Sequence, residues 1–201
     1  MSRILSITDN HIPPPLIINV EGLLTGDQFE ELCRLNRDLR LELTSTGELI
    51  VMPPTGTKMG MKNANLTYQL TDWSNRNRIG FSFDSSTLFE LPNGARYSPD
   101  AAWIKRERWN ELSDEQQERI APICPDFVVE IRSRSDNLPP LQSKMNEYLE
   151  NGASLCWLID SRRRLVYVYY PNREVEILHE PEFVSGETVL KEFKLLMEPI
   201  W

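Results

Sequence analysis

The chain has 201 residues, of which 40% are hydrophobic and 26% charged, and its formal net charge is −8. That mixture is globular, and a chain of this length buries roughly 70% of its unfolded surface, so no disulfide or structural metal is needed to hold a core. The acidic balance excludes strong, purely electrostatic adhesion to nucleic acid, although basic residues do cluster locally at Lys105, Arg106 and Arg108, at Arg132 and Arg134, and at Arg162 to Arg164.

Residues 1–24 contain IPPPL and little periodicity, and they read as an extended arm ahead of a single domain over residues 25–201. TGDQFEELCRLN opens with a capping Thr25 or Asp27 and then spaces Phe29, Leu32 and Leu35 as one helical stripe. LRLELT and ELIVMPP flank STG and predict a hairpin ended by Pro53 and Pro54. Met59, Leu66, Leu70 and Trp73 form the stripe of a second helix. Short strands follow in IGFSFD, TLFEL and SPDAAWI, and then the polar stretch NELSDEQQERIAPICP reads as a helical excursion or a loop. DFVVEIRS is the clearest strand, and LPPLQSKMNEYLENG is a helix stopped by Asn151 and Gly152. SLCWLID, RLVYVYY and EVEIL close the chain as successive strands. Helices alternate with strands, yet tight turns join several strand pairs. The expected fold class is therefore α/β or α+β, a mixed central sheet flanked by helices.

Two acids interrupt apolar strands. Alternation in FVVEIRS puts Glu130 on one face with Val128 and Arg132, and in YSPDAAWI Asp100 shares a face with Ala102 and Ile104. Two partly desolvated carboxylates brought together repel unless a cation lies between them, and a hard divalent cation with oxygen ligands is one remedy. Pairing with arginine, or a solvated sheet face, is the other. In the following helix Lys144 lies at the edge of the stripe made by Leu141, Met145, Tyr148 and Leu149. It either snorkels over apolar surface or stands beside the carboxylates.

Asp100 after Pro99, followed by Glu130 on a strand, resembles the PD-(D/E)XK restriction-endonuclease-like superfamily. GELIVMPPTG, YSPDAAWI, PDFVVEIRSRSD and KMNEYLENGASLCWLID together resemble the Uma-type family of restriction-endonuclease-like proteins, over about residues 20–180. The resemblance implies a Mg²⁺-dependent (or Mn²⁺-dependent) nuclease domain acting on nucleic acid, DNA first. It makes Asp100 and Glu130 the metal-binding acids, with the backbone carbonyl of Ile131 as a further ligand. The superfamily lysine lies two residues after the glutamate, where this chain has Arg132. In the Uma-type branch the next helix supplies it, and Lys144 matches. Arg132 is then a phosphate clamp or structural partner, and Glu48 of GELIV matches a recurrent acidic position that helps hold the metal or its waters.

Other chemistries find little support. PPTGTKMGMK lacks the G-K-[ST] ending of a P-loop, and His11 and His179 have no triad partner. Cys33, Cys124 and Cys156 have no zinc spacing and suit a reducing compartment. With no signal-like start and no apolar run of membrane length, the reading is a soluble cytoplasmic protein. Trp109 is a candidate for stacking on a base or for packing. Tyr167, Tyr169 and Tyr170 form an aromatic face that predicts a homodimer. The competing function is a non-catalytic binding or assembly module that keeps the nuclease fold. The net charge favours it, and the Asp, Glu and Lys set disfavours it.

Overall fold

The computed structural model describes residues 15–201. In chain order the elements are β1 (Leu16–Asn19), α1 (Gly26–Leu35), β2 (Arg40–Leu43), β3 (Glu48–Met52), α2 (Thr57–Asn77), β4 (Gly80–Asp84), β5 (Phe89–Glu90), β6 (Arg96–Tyr97) and β7 (Ala101–Lys105). They continue as α3 (Arg106–Asn110), α4 (Asp114–Glu118), β8 (Phe127–Ile131), α5 (Leu138–Glu150), β9 (Leu155–Asp160), β10 (Leu165–Tyr169), β11 (Glu176–His179), β12 (Phe183–Ser185) and β13 (Lys194–Leu196).

The strands form two main sheets and a small hairpin, β12 with β13. The first sheet has the order β1-β3-β2-β6-β5 and the second the order β11-β10-β9-β8-β7-β4. All named pairs are antiparallel except β8 with β9. Parallel neighbours need a long crossover, and α5 supplies it. The sheet is therefore mixed and helix-flanked, as the element order suggests.

The second sheet is covered on both faces, and this explains the apolar run Leu155–Ile159 of β9, whose six positions, the last of them Asp160, are all buried. Phe127, Val129 and Ile131 face one way, into a core with Leu66, Leu70 and Trp73 of α2 and with Val184, Phe193 and Leu195 from the C-terminal hairpin region. Val128, Cys156 and Leu158 face the other way, against Met145 and Tyr148 of α5. The acids of interest lie at the margin of this second core.

Several expectations can be placed on the fold. Residues 1–14 of the expected extended arm lie outside the described residues, and Leu16–Asn19 are an extended edge strand paired with β3. The polar excursion holds one short helix, α4, opened by a reciprocal capping box between Ser113 and Gln116, in keeping with the helical alternative, and α3 lies just ahead of it. Trp109 packs against Phe81 and Phe83, with ring centroids 6.1 and 5.1 Å away, so it belongs to the core margin. The aromatic face invoked for a homodimer is filled within one chain. Tyr167 and Tyr169 are buried in the cluster built on α5, and Tyr170 Oη donates to the Glu187 carbonyl at 2.6 Å. These tyrosines give no reason to call on a second copy.

Candidate active site

The register of the second sheet brings the two acids together. Ala101 pairs with Val129 and Ala102 with Val128. Continued by one residue, the same antiparallel register sets Asp100 opposite Glu130, on the face shared with Ala102 and Val128. Just before β7 the chain is freed from ladder bonding at Asp100, and Asp100 Oδ2 instead accepts the Ile131 N–H at 2.8 Å. The side chain thus caps the end of β8 as an extra rung. Asp100 Oδ1 accepts from Asn63 Nδ2 at 2.9 Å and lies 3.6 Å from Arg40 Nη1.

Lys144 comes from the second turn of α5, which lies on the same face of the sheet. Its Nζ is 2.8 Å from Glu130 Oε1 and 3.0 and 2.9 Å from the two oxygens of Glu42. The contact with Glu130 is an ion pair without hydrogen-bond directionality, and Oε1 has no well-aligned donor. The Tyr97 ring lies 4.6 Å from Nζ, so the ammonium is enclosed by two carboxylates and an aromatic face. Lys144 therefore stands beside the acids and does not snorkel to water.

Glu42 is the functional candidate that sequence reasoning missed. It lies in β2 of the first sheet and is 3% exposed, as buried as its apolar neighbour Leu41. Besides Lys144 it accepts the Ser98 N–H at 2.8 Å. Arg40, two residues earlier and on the same strand face, donates to the Ser98 carbonyl at 2.6 Å as well as approaching Asp100. The signal was present in the alternation of LRLEL, where an arginine and a glutamate share the face opposite Leu41 and Leu43. Glu48 is exposed beside the hairpin turn, across from Thr44, and makes no contact with the cluster.

Arg132 turns elsewhere. Its Nη1 donates to Asp160 Oδ2 at 2.6 Å, and its Nε donates to the Asp136 carbonyl at 3.1 Å. Asp160 is 1% exposed, at the end of β9. Arg132 thus pairs with a buried acid and fixes the β8–α5 turn, the structural half of the expectation. Arg132→Ala is expected to lower stability by about 2 kcal/mol, the scale for a hydrogen bond to a charged group. A thermal melt compared with wild type measures this, and activity per folded molecule should be retained.

The electrostatics follow from burial. Burial pushes the Glu130 carboxyl up to about 7. The Lys144 charge opposes that rise, and Asp100 and Glu42 add to it. Burial also raises Asp100, against the pull of Arg40, the Ile131 N–H and Asn63. Burial alone would lower Lys144, but Glu130 and Glu42 outweigh it and hold the ammonium charged. Three acids thus face two bases, leaving an excess of negative charge.

Among the described residues, no three His, Cys, Asp or Glu side chains converge as a metal cage. Mg²⁺ does not require one, because it binds through one or two carboxylates and keeps several waters. Asp100 and Glu130 supply hard oxygens of that kind. Asn63 Oδ1 is a buried amide oxygen with no partner, beside Asp100. The donor set therefore fits a hard divalent cation, and it offers no soft or imidazole ligand.

No curated protein matches the chain. A solved structure that it resembles is described as a putative nuclease belonging to DUF820, from Anabaena variabilis, with a TM-score of 0.68 and 22% identity over 80% of this chain and 88% of that one. That likeness shows the shared fold. No helix among the described residues is long and apolar enough to cross a membrane. The family model Uma2, described as "Putative restriction endonuclease", matches residues 27–198, which include Glu42, Asn63, Asp100, Glu130 and Lys144. The chain belongs to the Uma2 restriction-endonuclease-like family.

Proposed function

We propose that the protein is a metal-dependent endonuclease that hydrolyses phosphodiester bonds in nucleic acid, with DNA as the first substrate to test. The observation that carries this reading is the placement of Asp100 and Glu130 side by side on one sheet face, with Lys144 2.8 Å from Glu130. Asp100 and Glu130 would hold Mg²⁺ or Mn²⁺, with the Ile131 carbonyl as a further oxygen. Such a cation lowers the pKa of a bound water and offsets charge on a phosphate. The chain's own part is to orient and to neutralise. The Ile131 N–H and Asn63 fix the Asp100 carboxylate. Lys144 presents a charge that stays protonated, suited to a phosphate oxygen as negative charge builds. Glu42 keeps a hold on Lys144 when Glu130 is engaged elsewhere, so the ammonium remains aimed.

The ionisation of Glu130 sets a pH dependence. A carboxyl held at about 7 must lose its proton before it can ligate a cation. Cleavage at fixed Mg²⁺ is therefore expected to rise with pH through about 7 and level off above it. A rate profile from about pH 5.5 to about 8.5 measures this. A profile flat across that interval would contradict the role given to Glu130.

The direct test is incubation of plasmid and single-stranded DNA with purified protein in Mg²⁺, Mn²⁺ or EDTA. The buried bridge Glu42–Lys144–Glu130 favours a second reading, a binding module in which the same ions only fasten the two sheets together. Cleavage that needs metal supports the enzyme. Absence of cleavage with either metal, on every nucleic acid tried, supports the module.

A further inference from the structure

A groove of about 700 Å³ runs along α2 to the turn after β4, and Asn63 joins it to the carboxylates. Its wall on α2 is a row at helical spacing, Asn63, Thr67, Tyr68, Thr71 and Asn75, and Asp84 stands across from the row at the end of β4. Three properties of this wall select a ligand. No lysine or arginine lines it among the described residues, so it is not built for phosphates. Its polar groups are the amides of Asn63 and Asn75 and the hydroxyls of Thr55, Thr67 and Ser85, which both donate and accept, while Thr71 is bonded to Ser82 and the two acids are spoken for, Asp72 by Arg76 and Asp84 Oδ1 by Ser86 and Thr87. Tyr68 is 70% exposed on a helix face where an aromatic ring gains nothing from the core. A flat, neutral molecule with donors and acceptors on its edge and a π face for Tyr68 meets all three conditions. A nucleobase is such a molecule. A base in a duplex is not, because its faces are stacked and its edge is paired.

We propose that this groove holds an unpaired nucleobase, stacked on Tyr68, from a strand whose backbone runs toward Asp100. The placement of the scissile phosphate at Asp100 rests on the nuclease reading, whereas the base pocket itself does not. The acidic net charge suits this arrangement. A chain at −8 gains little from long-range attraction to a duplex, so its grip has to come from stacking and short-range hydrogen bonds. Asn63 ties the two regions together. One end of its amide holds Asp100, and the buried oxygen at the other end has no partner.

The test uses the full chain in EDTA, where cleavage cannot interfere, and measures fluorescence anisotropy with a labelled unpaired oligonucleotide and with a blunt duplex of the same sequence. The unpaired strand is expected to bind more tightly. Tyr68→Ala should weaken it by about 5-fold to 150-fold, the range for loss of one base–aromatic stack, and leave duplex binding unchanged. Tyr68→Phe should restore the affinity and Tyr68→Leu should not, which separates stacking from simple apolar contact. Circular dichroism of each variant excludes misfolding. Equal affinity for strand and duplex, or an unaltered affinity in Tyr68→Ala, overturns the proposal. Cleavage assays with Mg²⁺ on the same proteins keep the two readings apart. Strand binding that depends on Tyr68, without cleavage, retains the groove and removes the enzyme. Cleavage with no Tyr68 effect on binding does the reverse.

Discussion

Lys144→Met is expected to abolish cleavage and also to destabilise the fold by about 3–5 kcal/mol near pH 8, the cost of leaving buried acids without their cation. The lysine is 15% exposed in its side chain, and it is the shared counter-ion of Glu42 and Glu130. Methionine fills a similar volume, so the loss reports charge and not a cavity. At lower pH Glu130 takes up a proton, one buried charge disappears, and the loss shrinks. The thermal midpoint of the variant should therefore approach that of wild type as pH falls from about 8 to about 5. From sequence, Lys144→Ala is expected to leave folding nearly intact and to suppress cleavage, because it removes charge at the transition state and not a core contact. The burial of Glu42 reverses the expectation for folding. A variant as stable as wild type at pH 8 would mean that the Glu42–Lys144–Glu130 bridge contributes nothing.

Glu130→Gln is expected to have the opposite signature, a lost reaction in a fold at least as stable. Cleavage should fall by about 100-fold or more, since an amide cannot supply the anionic ligand and metal stabilisation amounts to several kcal/mol. Stability moves differently because of where the carboxyl titrates. Its ordinary value is 4.5, and burial raises it to about 7 in the folded chain. Between those values the folded form holds more protons than the unfolded one, so wild-type stability falls as pH rises from about 4.5 to about 7 and is level above. Glutamine does not titrate, and the Lys144–Glu42 contacts remain. The variant's melting temperature should therefore equal or exceed that of wild type at pH 8, with the difference narrowing toward pH 4.5. Calorimetry across pH checks the stability, and plasmid nicking checks the reaction. Unimpaired Mg²⁺-dependent cleavage in this variant would remove Glu130 from the site.

The elements that place the site were legible in the sequence where a single period governs them. β8 alternates cleanly, and α5 carries its stripe to Asn151 and Gly152, so Glu130, Asp100 and Lys144 could each be assigned a face. Glu42 could not, for a physical reason. Alternation in LRLEL tells which residues share a face, but not which face is dry, and the burial of Glu42 comes from the docking of the first sheet against α5 and Ser98. Glu48, in the same hairpin, has similar local chemistry and ends in solvent because it lies at the turn. The tyrosines of β10 were misjudged likewise. A run such as LVYVYY looks two-faced and exposed until α5 is known to lie over one face and the C-terminal hairpin region over the other. Long-range burial of this kind is not a local property of a strand.

The segment Ser98–Asp100 has a mechanical consequence. It leaves the first sheet at Tyr97 and enters the second at Ala101, and three residues reach no more than about 11 Å even when taut. Glu42 and Arg40 grip its first residue from the first sheet, while Ile131 grips its last from the second. Relative sliding of the two sheets must therefore drag the Asp100 carboxylate with it. The first sheet thus acts as a lever on the Asp100–Glu130 pair, so a change packed into β1 or β3, far from either acid, would be felt in their spacing.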